Sequence, residues 1–351
     1  MARQFEQMLP GARGAAPSQT EPPQDALVGG LLAAAYPDRI GRLRAGGDRR
    51  YQLTNGRGAR FDSADRLAQR EFIVAVDLDD REREARILLA AALDRADIDL
   101  ACGEHIRRRE VVEWSSRDAA AIARTVEQLD ELILAEKPRQ PTAEQAIDAM
   151  LTGLRELGLE ALPWDEETRS FQARVGFVRG LQRAAASDWP DLSDAALLAQ
   201  LGDWLPPWLA GITRRAHLTR LPLLDALRGR LSNSQQRMLE EWAPTHLVLP
   251  TGTRVRIDYV DALAPCASMR MQEVFGLAET PRIGGGTVPV TFKLLSPAQR
   301  PLQVTRDLAS FWRNAYVEVR KDMRGRYPRH YWPENPLEAE PTRGIKRRSP
   351  R

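Results

Sequence analysis

The sequence predicts an α+β chain: a small antiparallel β-barrel first, then a mixed helical and strand C-terminal domain that ends in a basic tail. Three observations lead there. Several short strand patterns punctuated by turn residues crowd between Arg50 and Trp114. Residues 138–242 carry helical apolar spacing and capping signals, and strand patterns return between Thr245 and Val304. From Thr305 onward there are 12 Lys/Arg against 6 Asp/Glu, a local net charge of +6 in a chain whose total is +3.

The elements follow in order. Residues 3–9 read as the frayed end of a helix from a preceding domain. Residues 10–25 are rich in Pro, Gly, Ser and Gln and read as a flexible linker. Ala26–Arg44 is a helix candidate, with Leu27, Leu31, Ala34 and Ala35 on one face and Pro37 dividing it. These pieces make a segment 1–46 that belongs with an upstream region.

Residues 47–137 form the expected barrel domain. Arg50–Thr54 and Arg57–Phe61 flank Asn55-Gly56, a hairpin turn that accepts positive φ at both central positions. Phe72–Leu78 and Ala85–Leu93 make a second hairpin across the acidic turn Asp79-Asp80, and Ile106–Trp114 is a further strand. Between 119 and 135, Ile122, Val126, Leu129 and Ile133 fall at helical spacing.

Residues 138–242 are a helical region. Thr142 with Gln145 is a capping-box pattern ahead of Ile147, Leu151, Leu154 and Leu157. Phe171–Leu181, Asp194–Trp208, Leu221–Leu231 and Ser234–Trp242 are the further helices, with Pro206-Pro207 ending the Leu/Trp-rich one. Residues 243–351 hold the strands THLVLP, RVRIDYV, VPVTFKLL and PLQV, then a helix from Asp307 to Met323 and a Pro-punctuated tail.

Composition is that of an ordinary globular protein, with 43% hydrophobic and 28% charged residues. No apolar run is long enough to span a bilayer, and the N-terminus lacks the apolar core of a secretory signal. The only cysteines, Cys102 and Cys266, read as reduced thiols in a cytoplasmic setting. His105, His217, His246 and His330 are scattered without metal-ligand spacing, and nothing supports a Ser/His/Asp triad.

Four blocks carry a resemblance. They are AYPDRIGRLR with RYQLTNGRGARF at 35–61, APTHLVLPTGTRVRIDY at 243–259, QEVFGLAETPRIGGGTVPVTFKLLSPAQRPLQVTRDLASFWR at 272–313, and FWRNAYVEVRKDMRGRYPRHYWPENP followed by KRR. In this order they resemble the C-terminal part of HrpB-type ATP-dependent helicases, bacterial members of the DEAH-box RNA helicase group. The resemblance implies that the barrel is OB-like and that residues 119–135 supply a closing strand. It also implies two motor domains upstream of Met1, with ATP and magnesium bound there and not in this chain. The sequence agrees on that point: it has no Gly-Lys dipeptide, hence no P-loop, and no Asp-Glu-x-His box. The expected partners are RNA or single-stranded nucleic acid and the helicase motor domains, in cis or in trans.

The candidate nucleic-acid-binding residues form three groups, and no catalytic or metal-ligating residue is predicted. Arg57 and Arg60, with Gly56 and Gly58 before and between them, form a loop whose backbone can approach a strand. Arg107, Arg108 and Arg109 make a cationic strand face beside Trp114. Trp312, Arg313, Arg320, Lys321, Arg324 and Arg326 join a stacking ring to a basic helix, with Arg313, Arg320 and Arg324 on nearly one face. Each has a plainer reading. The Arg triplet can be a solvated face paired with Glu104, Glu110 and Glu113, and the tail aromatics, which include Tyr316, Tyr327, Tyr331 and Trp332, can pin a surface segment to its domain. Asp77, Asp79 and Asp80 suit a hairpin turn better than a cation site, and Gly284-Gly285-Gly286 reads as a flexible strand connection. The rival functions are a stand-alone protein-binding adaptor and a non-functional fragment of a split helicase gene.

Overall fold

The computed structural model describes residues 24–46, 49–181 and 188–344. The helix end expected at 3–9, most of the linker at 10–25 and the terminal KRR lie outside the described residues. The chain divides into two compact units, Met1–Glu113 with Ile122–Gln140, and Trp114–Ala121 with Pro141–Arg351.

In the first unit, helix α1 (Gln24–Ala35) leads through a 3-10 turn at Pro37–Arg39 into β1 (Ile40–Leu43). The helix expected to reach Arg44 stops before Pro37, which fixes φ and lacks the amide a continuing helix needs. Strands β2 (Arg50–Leu53), β3 (Gly58–Arg60), β4 (Phe72–Asp79) and β5 (Ala85–Leu93) complete a closed barrel in the order β1-β2-β3-β5-β4. Closure is made by β1 against β4, with Ile40 opposite Val74, and by a short parallel pairing of Ala59 with Ala85. The barrel therefore begins at residue 40, and residues 119–135 are not needed to close it.

The β2–β3 turn differs in detail from its expected type. Gly56 alone has positive φ, at 83°, and its amide donates to Leu53 O at 3.0 Å. Leu53 N then donates to Arg57 O at 2.8 Å, which closes a three-residue loop with glycine at the left-handed position. Inside the barrel, Tyr51, Leu53, Ala59, Ile73, Ala75 and Ala85 pack with essentially no exposure. The Tyr51 hydroxyl lies 2.7 Å and 2.8 Å from the carbonyl oxygens of Leu67 and Arg70, and burial pushes its pKa up to about 12.

Helix α2 (Arg95–Cys102) follows, and then β6 (Arg107–Ser115), β7 (Ala120–Leu129) and β8 (Leu132–Arg139) form a separate three-stranded sheet. The stretch at 119–135 is thus strand, as the resemblance implied, and not helix. A β-bulge between Glu127 and Gln128 shifts the phase of β7, so Val126 and Leu129, three residues apart, are both buried. That spacing imitates a helix.

The second unit is helical up to residue 242. Helix α3 (Ala143–Leu157) starts at the expected capping box, Thr142 and Gln145 each accepting from the other's amide. Helix α4 (Glu166–Leu181) follows. The helix expected over 194–208 breaks at Gln200 into α5 (Asp194–Ala199) and α6 (Leu201–Trp204); α7 (Leu223–Arg228) and α8 (Asn233–Trp242) complete the layer. Arg174, 4% exposed, satisfies the C-terminal end of α8 by donating to Ala243 O while pairing with Glu240 at 2.8 Å.

A mixed five-stranded sheet then forms from β9 (His246–Val248), β10 (Arg254–Asp258), β11 (Cys266–Arg270), β14 (Thr291–Leu295) and β15 (Pro301–Thr305), in the order β15-β14-β11-β10-β9. Between β11 and β14 lies a two-stranded hairpin, β12 (Arg282–Ile283) with β13 (Val288–Pro289). Two of its three glycines are packed: Gly284 N donates to Trp242 O at 2.7 Å, and a Cβ on Gly285 would press on the Trp242 ring, whereas Gly286 has open space around it. The terminal helix expected from Asp307 to Met323 is two helices, α9 (Leu308–Arg313) and α10 (Tyr316–Arg326), broken at Asn314.

Gly153 of α3 lies against the Trp114 indole so closely that a Cβ there would fall among the ring atoms. Gly153→Ala gains about 1 kcal/mol of helix propensity but must displace a ring that is only 8% exposed. The expected net result is a loss of about 1–3 kcal/mol, read as a lower Tm by calorimetry. A raised Tm would show that Trp114 moves freely.

Candidate nucleic-acid interface

The predicted arginines of the barrel come together, but not as bare charge. Arg57 pairs with Asp80 at 3.2 Å and donates to Asp80 O at 2.7 Å, while Arg60 pairs with Glu82 at 2.9 Å. Glu84 accepts from Arg44 at 3.3 Å and also faces Arg50 at 3.6 Å. The β4–β5 turn therefore lays a row of carboxylates against the β2–β3 hairpin. Asp80 serves that row, whereas Asp79 pairs with Arg81 of its own turn at 3.6 Å. Among the described residues no cluster of three or more His, Cys, Asp or Glu could hold a metal ion.

The triplet on β6 splits by strand alternation. Arg108 is held by Glu127 at 2.7 Å, and Arg95 of α2 holds the other oxygen of the same carboxylate at 2.8 Å. Arg107 and Arg109 project to the opposite side, are exposed, and make no ion pair among the described residues. Of the three, these two are available to a phosphate.

The tail reorganises most. Trp312 is 5% exposed and its indole N–H donates to Leu277 O at 2.8 Å, which removes it as a stacking platform. It packs 5.2 Å from Tyr316 and 4.9 Å from Phe311, ring centre to ring centre. Trp332 is also buried, and its N–H donates to Tyr327 O at 3.0 Å. The aromatics pin the segment to its domain. Arg313 sits on α9, separated by the break at Asn314 from Arg320 and Arg324 on α10, so the shared face does not form. Arg320 pairs with Glu334 at 2.9 Å and Arg326 with Asp322 at 2.9 Å, whereas Arg313, Lys321 and Arg324 are exposed.

A groove of about 520 Å³ was not foreseen from sequence. Arg42 and Arg44 of the β1 segment line it with Gln52, Glu131 and Glu136. Arg42 donates to Ile133 O at 2.9 Å and pairs with Glu71 at 3.2 Å. The signal was the alternation of Ile40-Gly41-Arg42-Leu43, obscured by reading that stretch as helix.

The candidate residues thus sit on a closed, arginine-bearing barrel with its neighbouring three-stranded sheet and, in the other unit, on the helices that follow a mixed five-stranded sheet. A family described as "ATP-dependent helicase C-terminal", HrpB_C, matches residues 204–336. The chain is 40% identical over 326 residues, 92% of its length, to the ATP-dependent RNA helicase HrpB of Escherichia coli strain K12. It is similar to a crystal structure of the E. coli DExH-box NTPase HrpB at TM-score 0.58 and 40% identity, covering 90% of this chain and 39% of that one. A second crystal structure, of the E. coli DEAH/RHA helicase HrpB, gives TM-score 0.50 and 37% identity, covering 87% and 38%. The chain corresponds to the C-terminal portion of an HrpB-type helicase, and it spans about 40% of the length of the curated relative it matches.

Glu127 offers a direct test of the β6 geometry. Hydrogen bonds from Arg108 and then Arg95 hold its carboxyl down at about 2. A depressed folded-state pKa gives stability that is present above the unfolded value, near 4.5, and is lost as pH falls towards 2. The Tm difference between wild type and Glu127→Gln should therefore narrow as pH is lowered from 4.5 to 2. A constant difference across that window would show that the two arginines do not hold the carboxylate.

Proposed function

We propose that this chain is the accessory C-terminal half of an HrpB-type RNA helicase, gripping nucleic-acid backbone and coupling to helicase motor domains. The observation that carries the reading is the closed barrel in the order β1-β2-β3-β5-β4. That order is the one expected of an OB-like barrel, whose strands 2 and 3 and whose loop between strands 4 and 5 commonly meet single strands. Here those parts are the Arg57/Arg60 hairpin and the Asp80–Glu84 turn. Arg107 and Arg109 supply unpaired charge in the same unit. ATP and magnesium belong, on this reading, to the motor domains.

Coupling is supported by α1. Its core side is Gly29 and Ala33, yet Val28 and Leu31 on the other side are 50% and 75% exposed, and Ala34 and Ala35 are exposed with them. A helix apolar all round calls for a second protein surface, and the motor region of the same helicase is the partner proposed for it.

Binding of a labelled 20-nucleotide oligouridine, followed by fluorescence anisotropy, should weaken steeply with salt. Arg107→Ala with Arg109→Ala should flatten the log–log slope by about 1.4, from about 0.7 per phosphate contact, without moving the Tm. A flat salt response of the wild type would overturn the backbone grip. The chain alone should hydrolyse no ATP above blank; magnesium-dependent turnover would overturn the assignment of catalysis to the motor domains.

A further inference from the structure

The outward face of the five-stranded sheet in the second unit has a composition that the candidate groups above do not include. Strand register fixes which residues share it. Arg254 stands opposite Val248 and Arg256 opposite His246; Asp258 stands opposite Cys266. Across the parallel pairing, Cys266 meets Thr291, Ser268 meets Lys293, and Arg270 meets Leu295; Lys293 in turn stands opposite Val304. The alternate positions, Ile257, Ala267, Met269, Phe292 and Leu294, are buried on the other side. One face is core and the other is open, the usual division of a sheet covered on one side.

The open face is cationic. Arg254, Arg256, Arg270 and Lys293 lie on three adjacent strands, spaced about 4.8 Å apart. Arg306, just past β15, reaches over Thr291, with Nε 3.1 Å from its hydroxyl. Against these the face itself carries one carboxylate, Asp258. Glu166 of α4 also pairs with Arg256, and Glu273 accepts the Arg270 amide at 3.2 Å. Arg254 and Lys293 are exposed and make no ion pair among the described residues. Lys293 touches the Cys266 sulfur, which favours its charged form. The Arg270 guanidinium donates to Arg343 O at 3.2 Å, and Arg343 donates to Thr251 O at 2.8 Å, which brings a further cation to the Arg254 end of the sheet.

A folded sheet has no structural need for this arrangement. Like charges on neighbouring strands repel when they stand side by side, and short edge strands need only one or two charges to block edge pairing. The outward positions of the five strands carry no Phe, Tyr or Trp, and their one ring, the half-buried His246 imidazole, lies 3.0 Å from the Thr245 hydroxyl, so the face lacks a row of rings on which successive bases can stack. What remains is a ladder of point charges with Ser268, Val248 and Val304 between them.

We propose that this sheet face is a second nucleic-acid contact, taking the sugar–phosphate backbone of single-stranded RNA without reading its bases. It is distinct from the barrel unit and from the tail helices. The anionic partner is a polyphosphate chain and not an acidic protein surface, because charges set at strand spacing across a flat, open face suit a continuous flexible strand of phosphates.

The test uses the full chain with Arg254→Ala and Lys293→Ala together, beside the Arg107/Arg109 double variant. Affinity for labelled oligouridine should fall about tenfold, the salt slope should flatten by about 1.4, and oligoadenosine should be affected equally. The Tm should hold, since both side chains are exposed. Arg254→Lys with Lys293→Arg should restore binding, which separates charge from folding. If the sheet variant binds RNA as tightly as wild type while the Arg107/Arg109 variant does not, this inference fails and the barrel reading stands. If only the sheet variant weakens, the barrel grip fails and the inference stands. Unchanged RNA affinity with lost binding to polyglutamate would make the face a protein-docking surface and overturn the proposal.

Discussion

An arginine held by a carboxylate is not free to meet a phosphate, and that constraint governs what this molecule can bind. The chain carries 51 Lys/Arg and 48 Asp/Glu, so nearly every cation has a potential partner within the protein. On the barrel, Asp80, Glu82 and Glu84 take up Arg57, Arg60, Arg44 and Arg50. These pairs are partly exposed, each worth about 0–1 kcal/mol. They set a threshold that a phosphate must exceed, since an incoming strand brings its own charge against three carboxylates. Net charge is therefore a poor guide to the binding surface, and the spatial pattern of unpaired cations is a better one.

The same constraint separates two signals that the tail sequence mixes. Aromatic and basic residues alternate there as they do in single-strand binders, yet the two kinds of residue do different work. Trp312, Tyr316 and Trp332 are buried and donate hydrogen bonds to the carbonyls of Leu277, Pro333 and Tyr327. Their rings are anchors, and their polar ends satisfy a segment with little regular structure of its own. The basic residues either pair locally, as Arg320 and Arg326 do, or stand in solvent. Interleaving in sequence does not place a ring and a charge on one surface when the helix breaks at Asn314.

Much of the architecture was legible where local chemistry decides it. The hairpins around Gly56 and Asp80 and the capping box at Thr142 follow from turn and cap residues acting over a few positions. What stayed hidden depends on partners distant in sequence. Strand β1 reads as the end of a helix because only pairing with β2 and β4 makes it a strand. Strand β11, Cys266–Arg270, has small and polar outward residues and exists because β14 runs parallel beside it. The bulge in β7 gave a strand the spacing of a helix. The candidate site was legible in type but not in membership: sequence offered Arg107, Arg108 and Arg109 as one group, and only Glu127 tells Arg108 from its neighbours.

The cationic sheet was invisible for the same reason. Arg254, Arg270 and Lys293 are separated by up to 39 positions and form no run in the sequence. Register alone assembles them. Its likeness to the barrel surface is physical: neither offers an exposed aromatic cradle, and both present guanidinium and ammonium groups at strand spacing. On the function proposed above, such surfaces suit an accessory half that must hold a strand while motor domains move it. Base stacking would fix register and resist translocation, whereas backbone contacts are sequence-independent and exchange one phosphate for the next at little cost. A grip built of several weak, carboxylate-tempered contacts retains a strand through their number and still lets each contact release.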